Sequence, residues 1–316
     1  MQVIKGVKKI KHTNTVITIG NFDGVHLGHQ KLFDFVKKKA KQINGKSVVV
    51  TFNPHPIKVL FKDHPLKLIT TVEDKIKLIE KCGIDITICI PFTMEFAQIE
   101  AEDFVKNILL DKFNAKWIIV GYDYRFGKGR RGDREMLKRL SEYYGFKVTV
   151  VKAYKKRGNI LSSTAVRNAL IEGNIKEANL FLGRAYHIDG EVIKGAGRGS
   201  SILGYPTANI MPRQEIIPKE GVYAVKVTIK DGLTYKGVAN IGKNPTFGNI
   251  NLSYEVHILD FKEDLLGKNI RIHFIARLRD ERKFSSPEEL KNRIAQDIER
   301  AREIFRRDKT KLFLDF

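Results

Sequence analysis

Along the first half of the chain, short runs that are apolar throughout alternate with longer segments whose apolar positions recur every three or four residues. The predicted strands are residues 15–19 (TVITI), 47–52 (SVVVTF), 84–90 (IDITICI), 117–120 (WIIV) and 147–154 (KVTVVKAY). Between them Leu32, Phe33, Val36 and Ala40 share one helix face, as do Ile76, Leu78 and Ile79, and then Phe104, Val105, Ile108 and Leu109. A strand that is apolar on both faces must be covered on both. Such strands separated by helices predict a doubly wound α/β domain with a parallel sheet.

The pattern changes after residue 184. Residues 221–229, 234–242, 252–259 and 269–278 follow one another with turns and no helices between them. Alternation in VYAVKVTI and IRIHFIA predicts half-buried antiparallel strands, hence a small barrel or sandwich. A last helix is expected after SSPEEL, with Ser286 as its cap, Pro287 in its first turn and Glu289 at capping-box spacing. The chain therefore divides into two expected domains, residues 1–184 and 185–316, and 316 residues suffice for two cores.

Composition changes this picture little: 42% hydrophobic and 29% charged residues are ordinary globular values. Charge adds more. With 57 Lys+Arg against 36 Asp+Glu the chain carries +21, which suits anionic partners. The basic residues are dispersed, in VKKKAK (36–41), KGRRGDR (128–134) and KKR (155–157), without a basic tail or a basic-aromatic stripe on the predicted barrel strands. The charge alone does not separate RNA from small polyphosphates such as ATP; the missing stripe is the reason no nucleic acid is expected. Cys82 and Cys89 form neither a disulfide framework nor a cysteine zinc site. No apolar stretch approaches the ~20 residues that span a bilayer, and the N-terminus lacks a signal-peptide core, so a cytoplasmic location without a membrane partner is expected. A homo-oligomer is compatible with all of this.

In an open parallel sheet, ligands bind beyond the carboxyl ends of the strands. The turn after the first predicted strand reads GNFDGVHLGH, residues 20–29. Gly20 and Gly24 let backbone approach a phosphate, and the helix that follows offers unpaired N–H groups to an anion. His26 and His29 lie one turn apart and could both donate to phosphate oxygens. After the fifth strand, Ser162, Ser163 and Thr164 make a helix N-cap, or, with Arg167 at helical spacing, a cradle for a triphosphate. In the second half, Gly195, Gly197 and Gly199 lead into a turn and not a helix, which excludes a dinucleotide fingerprint. A glycine flap there can cover ATP, with Thr207 and Asn209 of PTAN offering neutral oxygens to Mg²⁺. Glu255 stands in an otherwise apolar strand, either as a plain exposed residue or as a base.

GNFDGVHLGHQ, TFNPHP (51–56), VGYDYRFGKGRRGD (120–133) and SSTAVR (162–167) resemble the adenylyltransferase half of the bacterial bifunctional riboflavin kinase/FMN adenylyltransferases. GRGSSILGYPTAN, GVYAV, GVANIGKNPTFG (237–248), YEVHILDF and LRDERKFSS (278–286) resemble the riboflavin kinase module. The resemblance implies a Rossmann-like nucleotidyltransferase domain followed by a six-stranded antiparallel kinase barrel with a C-terminal helix. It implies two ATP-dependent reactions, riboflavin to FMN and FMN to FAD, with Mg²⁺ as the metal. His26, His29, Ser163, Thr164 and Arg167 would serve adenylyl transfer. Gly20, Asn21, Phe22, Asp23, Gly24, Asn53, Asp123 and Ser162 would line the nucleotide and flavin pockets. In the kinase, Thr207 and Asn209 would hold Mg²⁺, Glu255 would act as base, and Gly197, Arg198, Gly199 and Arg279 would contact ATP or flavin. The alternative is a chain that keeps one activity, its other half a regulatory flavin- or RNA-binding module.

Overall fold

Six strands, β1 (Gln2–Lys5), β2 (Thr15–Ile19), β3 (Lys46–Phe52), β4 (Ile86–Ile90), β5 (Ala115–Gly121) and β6 (Lys147–Val151), form a parallel sheet ordered β1-β4-β3-β2-β5-β6. The computed structural model describes residues 1–12, 14–156, 158–195, 204–229, 232–246 and 249–311, with backbone only at 243–246 and 249–251. The chain packs as two units, Met1–Ser163 and Thr164–Phe316.

In the first unit all five residues of β2 are buried, and the strand pairs with β3 (Ile19↔Val50) and with β5 (Thr18↔Ile119). From β2 the chain winds one way through β3 and β4, then returns to build β5 and β6 on the other side. The topological switch therefore lies beyond the ends of β2 and β5, the place where sheets of this kind bind ligands. Helices α1 (Leu27–Gln42), α2 (Pro56–Leu60), α3 (Val72–Lys81), α4 (Met94–Ala97), α5 (Ala101–Asp103, continued by a π-helical stretch, Phe104–Leu110) and α6 (Arg134–Tyr144) connect the strands. Burial of Leu32, Phe33, Val36 and Ala40 on α1, and of Phe104, Val105, Ile108 and Leu109 on the π-helical stretch, matches the predicted faces. Helix α3 departs from its predicted face: Asp74, Lys75, Leu78 and Ile79 are buried, and Ile76 is only half-buried. A two-stranded hairpin, β7 (Lys155–Lys156) and β8 (Asn159–Ile160), ends this unit's structure.

The second unit contains nearly all of α7 (Ser163–Ile171), then α8 (Ile175–Leu182), and a closed barrel of β9 (Tyr186–Ile193), β10 (Ala208–Pro212), β11 (Gly221–Ile229), β12 (Thr234–Thr246), β13 (Asn249–Ile258) and β14 (Asn269–Arg279) in the order β10-β13-β12-β11-β14-β9. Antiparallel pairing of β9 with β10 closes it. Closure removes the open edges that a sheet of this size would otherwise expose. Helix α8 is tied to the barrel through Asn179, whose side chain donates to Phe274 O (2.8 Å) and accepts from Tyr186 N (2.7 Å). Helix α9 (Pro287–Arg307) lays Ile298, Ala301 and Phe305 over Val222, Ala224 and Val238 outside the barrel. Its cap is as predicted, with Ser286 Oγ accepting from Glu289 N (3.2 Å), while the Glu289 carboxylate takes Ser285 N (3.0 Å) and Ser285 Oγ (2.8 Å).

Candidate active sites

The turn between β2 and α1 is built around its own side chains. His26 caps α1, its Nδ1 accepting from His29 N at 3.4 Å. An accepting Nδ1 carries no proton, so His26 holds its hydrogen on Nε2, the tautomer that can donate outward. The two imidazoles stack, with centroids 3.6 Å apart and 20° between planes, and Phe22 meets His29 edge-on at 5.2 Å. A side chain at Gly28 would press on the His26 ring at about 3.0 Å, so the glycine makes room for the stack. Burial, His26 and Lys75 together hold the His29 imidazole well below its usual pKa, and it is therefore neutral. His29 Nδ1 is buried with no hydrogen-bond partner among the described residues.

Two segments converge on this turn. The Asp23 carboxylate, buried, accepts from Ile69 N (3.1 Å to both oxygens), Thr70 N (3.2 Å) and Thr70 Oγ1 (3.2 Å), which fixes the turn against the segment before α3. Ser163 Oγ donates to Asp23 O at 2.8 Å, so the structure brings that predicted residue to the histidine turn. Ser162 precedes it, half-buried; Thr164 and Arg167 follow on α7, Arg167 one turn beyond Ser163. Asn53 is exposed just past β3, with its N–H on Ile90 O (3.0 Å), and Asp123 is exposed just past β5. Both stand at the carboxyl edge of the sheet.

Sequence reasoning missed Lys75. Its Nζ donates to Asn21 O (3.3 Å) and Phe52 O (3.1 Å), and burial lowers its pKa from the usual lysine value. The signal was its place three and four residues before Leu78 and Ile79, on the face of α3 that is buried.

In the barrel, register defines the second site. Glu255 on β13 is directly opposite Asn209 of β10 and Asn240 of β12, so these three side chains share one face across adjacent strands. Asn240 Nδ2 reaches Glu281 Oε1 at 3.4 Å, a second carboxylate that sequence reasoning did not single out. Thr207 and Asn209 are both half-buried, and the backbone of Gly195 presses on the Asn209 amide so closely that any side chain there would overlap it. Two neutral oxygen donors beside a glycine cradle fit a magnesium ion that keeps phosphate and water ligands. A cavity of about 300 Å³ adjoins Thr207, lined among others by Val192, Ala208, Val256, Phe261 and Leu266. Arg279 points its guanidinium to Asp297 of α9, with Nε and Nη2 each 2.8 Å from Oδ2. Gly197, Arg198 and Gly199 lie outside the described residues.

Comparison with known proteins agrees with both halves. The family model described as FAD synthetase matches residues 8–165, and that described as riboflavin kinase matches residues 182–305. A bifunctional riboflavin kinase/FMN adenylyltransferase of Buchnera aphidicola (strain APS) is 41% identical over 94% of this chain and 96% of its own. Its namesake from Escherichia coli K12 is 37% identical over 96% of this chain and 98% of its own. A crystal structure described as a macrolide-efflux protein from Streptococcus pneumoniae superposes with a TM-score of 0.87 at 32% identity, covering 96% of this chain and 99% of that one. No helix among the described residues is long and apolar enough to cross a membrane. Carrying both modules at near full-length similarity, the chain belongs to the family of bifunctional riboflavin kinase/FMN adenylyltransferases.

Proposed function

We propose that FMN adenylylation takes place at the His26–His29 turn and riboflavin phosphorylation at the Asn209–Glu255–Asn240 row. The observation that carries the first assignment is the stacked histidine pair at the end of the central strand. An FMN phosphate, with a second pKa near ~6, is largely dianionic at neutral pH and attacks the α-phosphate of ATP without a general base. The site must then orient reactants and neutralise charge as pyrophosphate leaves. His26 donates from Nε2. Neutral His29, Ser163, Thr164 and Arg167 bind phosphate oxygens, and the N-terminal N–H groups of α1 add to this pull. Gly20, Asn21, Phe22, Gly24 and Ser162 shape the nucleotide side, Asn53 and Asp123 the flavin side, and Asp23 holds the turn in place.

Riboflavin differs from FMN in presenting a hydroxyl, whose proton must go as the phosphoryl group arrives. Glu255 accepts that proton. Thr207 and Asn209 would hold Mg²⁺, which would neutralise charge on the ATP phosphates. The cavity beside Thr207 is of a size that takes a purine ring, and the 278–284 stretch, with Arg279 steadied by Asp297, forms the flavin side. Residues 1–184 and 185–316 remain our division of the two catalytic modules, because it keeps Arg167 with the motif it completes. Cys82 and Cys89, neither of them in a disulfide, suit a cytoplasmic location.

Two variants test the assignment. His29→Ala abolishes FAD formation from supplied FMN and leaves FMN formation from riboflavin. Glu255→Gln does the reverse. Chromatography of flavins after incubation with ATP and Mg²⁺ reads both, and a His29→Ala enzyme with normal FAD output refutes the first site.

A further inference from the structure

Lys75 is one of the few charged side chains buried in the first unit, at 7% exposure, and no step above uses it. Taking an ammonium out of water is costly, and an apolar residue of similar volume on the same face of α3 would pack without that cost. The charge therefore needs a reason of its own. Its two acceptors are the carbonyls of Asn21 and Phe52, at 3.3 and 3.1 Å. Strands β2 and β3 are still paired at Ile19↔Val50, and Gly20 N still bonds Val50 O (3.0 Å). One residue later the chains part: Asn21 enters the histidine turn, and Phe52 leads into Asn53 and the cis Asn53–Pro54 bond. Lys75 bridges the gap just beyond the last ladder bond, helped by Thr51 Oγ1, which also donates to Asn21 O (3.1 Å).

We propose that Lys75 is a positioning residue for adenylyl transfer, clamping the phosphate-side turn at Asn21 to the flavin-side turn at Phe52–Asn53 and supplying fixed positive charge beneath both. The inference rests on the placement of the adenylyl-transfer site at His26 and His29. An ammonium has three protons, and the two carbonyls account for two. The cation faces Asp23 from the histidine turn and Cys89 from β4, both of which favour its charged form, while burial opposes it. Asp23 spends its oxygens on Ile69 and Thr70. The cation also acts on His29, which otherwise faces His26 and the Phe22 ring. Charge on Lys75 thus adds to burial and to His26 in disfavouring the imidazolium at His29, so that the histidine offers a hydrogen bond and not a second cation.

The test compares Lys75→Met, Lys75→Gln and Lys75→Arg with His29→Ala in the full-length enzyme. Steady-state rates are measured with FMN and with riboflavin, and the His29 ring is titrated by ¹⁵N NMR. Misplacement of reactants lowers kcat/KM for FMN adenylylation roughly tenfold to a hundredfold in Lys75→Met, with riboflavin phosphorylation unchanged. In that variant the His29 titration midpoint rises. Lys75→Gln, whose amide can still donate, recovers part of kcat without restoring the midpoint, and Lys75→Arg restores the midpoint. A folded Lys75→Met enzyme with the parental kcat/KM, beside an inactive His29→Ala, overturns the Lys75 proposal alone. An active His29→Ala overturns the site on which it rests. If Met and Gln variants both lose native Trp117 fluorescence, Lys75 serves folding only and the proposal also fails.

Discussion

Replacing Asp23 by alanine removes the acceptor around which the histidine turn is folded. The carboxylate takes the N–H groups of Ile69 and Thr70 and the Thr70 hydroxyl, all at 3.1 to 3.2 Å and all buried. The hydroxyl can turn elsewhere, and it already accepts from Gly24 N. The two backbone donors cannot. Each buried donor left unsatisfied costs about 1–3 kcal/mol, so Asp23→Ala should destabilise the first unit by about 4 kcal/mol. Ile69 is 1% exposed, which ties that loss to the core and not to a surface loop. The chain's one tryptophan, Trp117, lies on β5 of the same unit, its Nε1 bonded to Thr149 Oγ1 (2.9 Å) with Lys39 and Lys147 over its ring. Its fluorescence in urea therefore follows this unit. With a urea slope of about 2 kcal/mol per molar, the midpoint should fall by about 2 M. A fall below roughly 0.5 M would refute the tether, since the cost would then be under one orphaned donor.

Other outcomes follow from the same geometry. Asp297→Ala leaves the Arg279 guanidinium without its carboxylate, and breaking a buried pair from one side costs about 3–5 kcal/mol. Urea unfolding followed by circular dichroism measures this, and the KM for riboflavin should rise while FMN adenylylation is untouched. His29 gives the first unit a pH dependence. Its folded pKa lies well below 6.5, so as the pH falls through the window between those values the unfolded chain binds a proton that the folded chain refuses. Stability is complete above about pH 6.5 and is lost on acidification. Trp117-detected urea midpoints between about pH 5 and 8 should fall towards acid, and His29→Asn should flatten that slope.

Much of this was legible in the chain. Fully apolar runs located five of the six parallel strands, and alternation located four of the barrel strands, because burial on one face or two writes itself directly into hydrophobic pattern. The missed strands break that pattern for physical reasons. β1 is a short edge strand, QVIK, largely exposed. β9 carries His187 and Asp189 at buried positions, where Asp189 meets Arg271 through two 2.6 Å contacts, so its polar residues concealed a core strand. β10 is five residues long and ends at Pro212. The site motifs were legible because glycine, histidine and hydroxyl residues cluster at sheet edges. Lys75 and Glu281 were not, since a lone charge in an amphipathic helix or a polar loop reads as solvated until the fold shows what it touches. The motif places Asp23 in the nucleotide pocket, and the fold adds that its oxygens hold backbone.

The most direct measurement of two independent sites on one chain is a mixing experiment. His29→Ala and Glu255→Gln enzymes are incubated with riboflavin, ATP and Mg²⁺, separately and together, and FMN and FAD are followed by chromatography. The first alone should stop at FMN, the second alone should leave riboflavin unchanged, and the mixture should make FAD through FMN released into solution. FAD produced from riboflavin by either variant alone would contradict the assignment of the two reactions to these residues.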